Sequence, residues 1–238
     1  MIFDFIAITG ADDAVDLSFL DDMMSKYPHV EWGILFSDKR KGQPRYPSDA
    51  WLARLTDTFY TKFDTAFAAH LCGAMCDRLI EQGSEIYKTG ELIEHSVPKL
   101  FSRLQLNSFP EHCDRTDKIN MLASGLLSDG IEIILQVPNE KVEMACQRTF
   151  LENVSFLYDG SRGTGIAPSE WPEIRVPGYA GFAGGLSLDN LKVALDTLCA
   201  RPGDGHFWLD LETGARTDDK FDMKKVERIL RITEEYVG

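Results

Sequence analysis

The chain has 238 residues, 44% of them hydrophobic and 26% charged, the usage of a folded soluble protein with ample core material. Acidic residues outnumber basic ones 38 to 25, and the resulting formal charge of −13 argues against nucleic acid as a partner. No apolar run approaches the roughly 20 residues that span a bilayer, which argues against a membrane partner, and the acid-bearing N-terminal stretch does not read as a secretory signal.

Short runs rich in β-branched and aromatic residues alternate with helical patterns along the chain. The first predicted strand is Phe3–Thr9, followed by a helix that Asp12 caps and that turns Val15, Phe19, Leu20, Met23 and Tyr27 to one face. Glu31–Ser37 is the second strand, and Ser48 caps the helix after it, with Leu52, Leu55 and Phe59 inward. Thr65–Leu71 precedes a helix that opens near Gly73, and the polar stretch from Gly83 to Pro98 reads as an enlarged crossover. Phe101–Asn107, Ile131–Val137, Val154–Asp159, Ile174–Ala180 and His206–Asp210 complete eight strands. Asp222 opens a last helix with Met223, Val226, Leu230 and Val237 inward. The repetition predicts parallel strands with right-handed crossovers, and eight units of about 30 residues predict one (β/α)8 TIM barrel over residues 1–238. An open doubly wound sheet is the alternative. Five scattered cysteines suit free thiols in a reducing, cytoplasmic setting.

In such a barrel the site lies at the C-terminal ends of the strands. Three consecutive strand ends here are glycine-rich: Asp159-Gly-Ser-Arg-Gly-Thr-Gly165, Ala183-Gly-Gly-Leu-Ser187 and Asp210-Leu-Glu-Thr-Gly214. Glycines let backbone N–H groups turn toward a ligand, so Gly163, Thr164, Gly165, Gly184, Gly185, Thr213 and Gly214 form a candidate phosphate site. Helix caps and tight turns are the plainer reading of the same glycines. None of these loops is a Walker or dinucleotide motif, and no Cys-x-x-Cys or His-Glu-x-x-His spacing points to a metal, so neither metal nor cofactor is expected.

These three strand ends resemble those of phosphoribosylanthranilate isomerases, (β/α)8 barrels of tryptophan biosynthesis that convert a phosphoribosyl amine to a ketose. Weaker similarity covers Ile6–Ala14, Gly33–Ser37 with Pro44–Ser48, and Leu104–Asn107. The resemblance implies that Asp159 is the general acid, that Arg45 holds a substrate carboxylate, and that the turns at Gly184-Gly185 and Thr213-Gly214 hold the phosphate. The family's catalytic cysteine is not matched: Ile6 stands at its position and Ala7 at the following glycine, while Asn107 stands where the family often has histidine. Isoleucine moves no proton, so the fold and phosphate site separate here from the parent chemistry.

Other groups are candidate bases or ligands. His70, near the end of the third strand, titrates near neutral pH when unperturbed, and Cys72 opens a helix where a thiol can be activated. Glu212 is a candidate base or sugar-hydroxyl ligand, Asn107 a substrate contact, and Arg162 an anion contact; Asp4 points into the barrel or at its lower mouth. Two functional classes follow. One is an isomerase or related ring-opening enzyme acting on a small phosphorylated metabolite, as monomer or homodimer. The other is a barrel that has lost catalysis and serves as a phosphometabolite-binding or protein-interaction module.

Overall fold

Eight strands, buried along nearly their whole length, hydrogen-bond in the order β1-β2-β3-β4-β5-β6-β7-β8, and β8 closes on β1. The computed structural model describes all residues except 63–65, 94–99, 108–114, 138–150, 162–167, 169 and 173–178. The strands are β1 (Ile2–Thr9), β2 (Val30–Phe36), β3 (Phe67–Leu71), β4 (Arg103–Leu106), β5 (Glu132–Val137), β6 (Val154–Asp159), β7 (Tyr179–Ala183) and β8 (His206–Leu211). Every neighbouring pair is parallel, as the strand–helix repetition requires. The barrel is therefore closed, not an open sheet.

Described helices around it are α1 (Leu17–Lys26), α2 (Asp49–Phe59), α3 (Ala74–Gln82), α4 (Glu85–Lys88), α5 (Thr116–Leu127), α6 (Leu191–Cys199) and α7 (Met223–Glu234). They are amphipathic and bury Leu20, Trp51, Leu55, Leu79, Leu122, Leu195 and Ile229 against the outward side chains of the strands. Ser48 accepts from the Trp51 N–H and Asp222 from the Lys225 N–H, so both expected caps form.

Some local expectations change. α1 starts at Leu17 with Asp16 as its cap, because Asp12 is drawn to the Arg45 backbone N–H (2.7 Å) and the Arg216 guanidinium (2.9 Å). Of the expected strand Ile174–Ala180, positions 174–178 lie outside the described residues, and β7 is described from Tyr179. Met223 is 40% exposed in the first turn of α7, and Val237 lies beyond that helix at 42% exposure. The polar stretch after α3 includes α4 and buries Ile86, Tyr87, Leu92 and Ile93.

Alternation along the strands sets what the barrel encloses. In β1, Ile6 and Ile8 join the outer core, while Phe5, Ala7 and Thr9 face inward. Two polar storeys sit above and below an apolar layer of Ile134, Leu157, Ala183 and Trp208. In the lower one, Arg103 donates to Glu31 (2.9 Å) and Glu132 (2.6 Å), and its guanidinium lies 4.3 Å from the Trp208 ring centroid and 4.9 Å from that of Phe5. Burial opposes the Arg103 charge, but the two carboxylates outweigh it and hold its pKa above the usual value. Asp4 sits outside this cage, at the lower rim, accepting from or paired with His206 Nδ1 at 2.7 Å.

Candidate active site

The upper storey is the floor of a cavity of about 610 Å³ that opens at the C-terminal ends of the strands. That size suits a ligand of metabolite dimensions. Seven side chains from six strand ends build the floor: Thr9, His70, Gln105, Asn107, Gln136, Asp159 and Asp210, of which all but Thr9 line the cavity directly.

Asp210, on β8, is the centre of a hydrogen-bonded group. Its Oδ1 accepts from Thr9 Oγ1 at 2.8 Å and its Oδ2 from Gln105 Nε2 at 3.2 Å. Burial pushes its pKa up to about 6; the donors Thr9 and Gln105 pull the other way, and the negative charge of Asp159 adds to the rise. A carboxyl group at that value exchanges its proton close to neutral pH. Asp159, on β6, accepts from Gln136 Nε2 (2.7 Å), Ser161 Oγ (2.6 Å) and the Ser161 N–H (3.0 Å), which fix its orientation.

The Gln105 amide also reaches Asn107 Oδ1 (2.9 Å) and His70 Nδ1 (3.1 Å). The two N–H hydrogens of that amide face three acceptors, and the buried His70 Nε2 has no hydrogen-bond partner among the described residues. Burial pushes the His70 pKa down to about 3. His70 is a neutral ring whose Nδ1 lies beside the Gln105 amide at the floor of the cavity. Asn107 Nδ2 donates to Cys72 Sγ at 3.5 Å. Burial pushes the Cys72 thiol pKa up, so the helix start does not activate it.

At the rim, Gly184 and Gly185 take positive φ (108° and 60°) just after β7. A Cβ on Gly214 would lie 2.0 Å from the Leu186 carbonyl oxygen, so the turns after β7 and β8 touch only because that residue is glycine. Among the described residues, nothing accepts from the N–H groups of Gly185 and Leu186, and the adjoining Thr213 and Gly214 line the same cavity. Gly163, Thr164, Gly165 and Arg162 lie outside the described residues.

Arg45 is also at the rim, with φ at 77°, but its guanidinium is occupied. It donates to Glu212 at 2.5 Å, to Asp219 at 2.7 and 2.9 Å, and to Thr213 at 3.4 Å. The structure thus brings Asp159, His70, Asn107, Glu212, Gly184, Gly185, Thr213, Gly214 and Arg45 to one cavity. The candidate groups that the sequence reading missed are Asp210 with its donor Gln105, and Gln136, which donates to Asp159. Asp210 opens the third glycine-rich strand end, and that place at the end of a strand was the available signal.

Ile6 pairs in register with Leu209 and faces the helices, so the inward neighbour of Asp210 on β1 is Ala7. Among the described residues no cluster of three or more histidine, cysteine or carboxylate side chains is placed to hold a metal ion, and no helix is long and apolar enough to cross a membrane.

No protein-family model matches the sequence, and no curated protein matches it. Among solved structures, the chain is similar to N-(5'-phosphoribosyl)anthranilate isomerase from Pyrococcus furiosus, with a TM-score of 0.56 and 15% identity over 97% of this chain and 98% of that one. It is also similar to a cube-shaped, highly porous protein cage designed by fusing symmetric oligomeric domains, at a TM-score of 0.50 and 11% identity, covering 99% of this chain and 73% of that chain. At these identities the likeness establishes the (β/α)8 barrel fold.

Proposed function

We propose that this barrel is an isomerase of a phosphorylated sugar or sugar amine, working by acid–base catalysis with Asp159 and Asp210. The observation that carries the reading is two buried carboxyl groups in different hydrogen-bonding environments at the floor of one cavity, with glycine turns at its rim. In the proposed reaction Asp159 gives a proton to the ring oxygen as the ring opens, and Asp210 takes the proton from C2. The enol that results becomes the ketose when C1 gains a proton and the C2 hydroxyl loses one, which returns both carboxyl groups to their starting states.

A thiol base is not needed in this scheme. Asp210 occupies β8 in register with Ala7, one residue after the Ile6 position where the resemblance leads to a cysteine, and supplies a proton acceptor from β8 instead. The N–H groups of Gly185 and Leu186, which have no acceptor among the described residues, are the reading's anchor for the phosphate. Amide and carboxyl side chains across the floor suit hydroxyl groups of a sugar chain.

Turnover of an N-linked phosphoribosyl amine, followed by loss of the amine's absorbance or fluorescence, tests the reading. Wild-type protein is expected to turn over, and Asp159→Asn and Asp210→Asn each to lose about a thousandfold. Complementation of an auxotroph lacking the tryptophan-pathway isomerase reports the narrower activity. Binding of phosphorylated sugars, seen as a rise in melting temperature, without turnover of any of them would favour the retired, binding-only module.

A further inference from the structure

Among the described residues the rim carries three cationic side chains, Lys39, Arg40 and Arg45, against the acids Asp159, Asp210 and Glu212. Arg45 is not available to a ligand. Two carboxylates already neutralise it, and although burial opposes its charge, Glu212 and Asp219 outweigh that and hold its pKa above the usual value. Its backbone is tied as well, through the N–H that donates to Asp12 at 2.7 Å. Asp12 in turn holds Arg216, whose guanidinium also donates to the carbonyls of Gly10 (2.7 Å) and Asp219 (2.7 Å). This network clasps the turns after β1, β2 and β8 together, and a substrate carboxylate at Arg45 would have to displace one of two protein carboxylates.

Arg40 is differently placed. Its guanidinium lies 5.5 Å from the Tyr46 ring centroid and donates to Tyr46 Oη at 3.4 Å. Tyr46 is itself buried, with its hydroxyl turned toward Cys72 (4.0 Å), so the ring is a fixed platform. No carboxylate among the described residues pairs with Arg40 or with Lys39, which precedes it. Removing the Arg45–Glu212 pair from the rim's charge leaves two cations above two carboxyl groups.

We infer that Arg40, carried on Tyr46 with Lys39 beside it, and not Arg45, holds an anionic substituent of the substrate. The turns after β7 and β8 are a separate point on the rim, with β1 lying between β2 and β8. The preferred ligand is therefore a sugar with an anionic group at each of two ends. This inference rests on the proposed sugar-phosphate site.

Calorimetric titration of the full chain tests it, using ribose phosphorylated on its terminal carbon alone and ribose phosphorylated on both its terminal and anomeric carbons. Wild-type protein is expected to bind the doubly phosphorylated sugar about tenfold more tightly. Arg40→Gln should erase that preference and leave the affinity for the singly phosphorylated sugar unchanged. Arg40→Lys should restore only part of it, since lysine lacks the stacking fork. Arg45→Gln should retain the preference, and Asp219→Asn, a milder break of the same clasp, covers the case in which Arg45→Gln does not fold. A preference that survives Arg40→Gln, or one lost in both Arg45→Gln and Asp219→Asn, overturns the inference. Equal wild-type affinity for the two sugars also overturns it and leaves the sugar-phosphate reading intact, whereas binding of neither overturns both.

Discussion

The two polar storeys of the barrel differ in how far their groups are committed. Below, Arg103 is enclosed by Glu31, Glu132 and aromatic rings; its Nη1 and Nε donate to the two carboxylates, while its Nη2 has no hydrogen-bond partner among the described residues. Above, Asp210 is pushed up to about 6, His70 keeps an unpartnered Nε2, and a cavity of about 610 Å³ opens over both. Ion pairs in the low-dielectric interior contribute only when geometry satisfies them, and the lower cage does so at Nη1 and Nε of Arg103. The upper group is held in place by neighbours yet keeps proton-exchanging capacity, which is the condition for chemistry. One barrel therefore keeps structural charge and reactive charge on opposite sides of a layer of four apolar side chains.

The largest way to break this comparison is Arg103→Met, which strands two buried carboxylates. We expect a loss of about 3–5 kcal/mol in chemical denaturation, with part recovered when Glu31→Gln and Glu132→Gln are added. Unchanged stability would show the cage to be passive.

Asp210→Asn should act in the opposite direction. The folded pKa of Asp210 lies above its unfolded value, 3.8 rising to about 6, so its stability contribution is full below the unfolded value and is lost as pH rises through about 6. The variant should gain up to about 3 kcal/mol over wild type above that pH, and the gap should close on acidification toward the unfolded value. A gap independent of pH would place the effect elsewhere.

Gly33→Ala sharpens the comparison with a smaller effect. Its Cβ would lie 2.2 Å from Thr9 Oγ1 and 2.9 Å from the His70 ring, so the Thr9–Asp210 bond must move. We expect a loss of about 1–3 kcal/mol together with a changed Asp210 titration; a loss of stability with that titration unaltered would uncouple Gly33 from the site.

Much of the fold was legible because strand and helix periods alternate along the chain. The strand ends at Asp159, Ala183 and Asp210 were legible as glycine-rich turns, and they do meet at one rim. The polar interior was not. Arg103-Leu-Gln-Leu106 alternates polar with apolar residues, a pattern that in an open antiparallel sheet marks a solvent face, and Gln136 is a lone polar residue in the run Ile133–Val137. Closure turns that same face into the lumen, so Gln105, Gln136, Arg103 and Glu132 became interior groups for topological reasons that no local window contains. The Arg45 clasp was hidden for a related reason, since its partners Glu212 and Asp219 lie 167 and 174 residues away.

The paired-carboxylate account is tested most directly by solvent hydrogen exchange at C2 of a ribose phosphate in heavy water, followed by proton NMR. The account predicts deuterium uptake with wild-type protein that falls to the uncatalysed rate in Asp210→Asn. Uptake that continues undiminished in that variant, or none with wild-type protein, would contradict it.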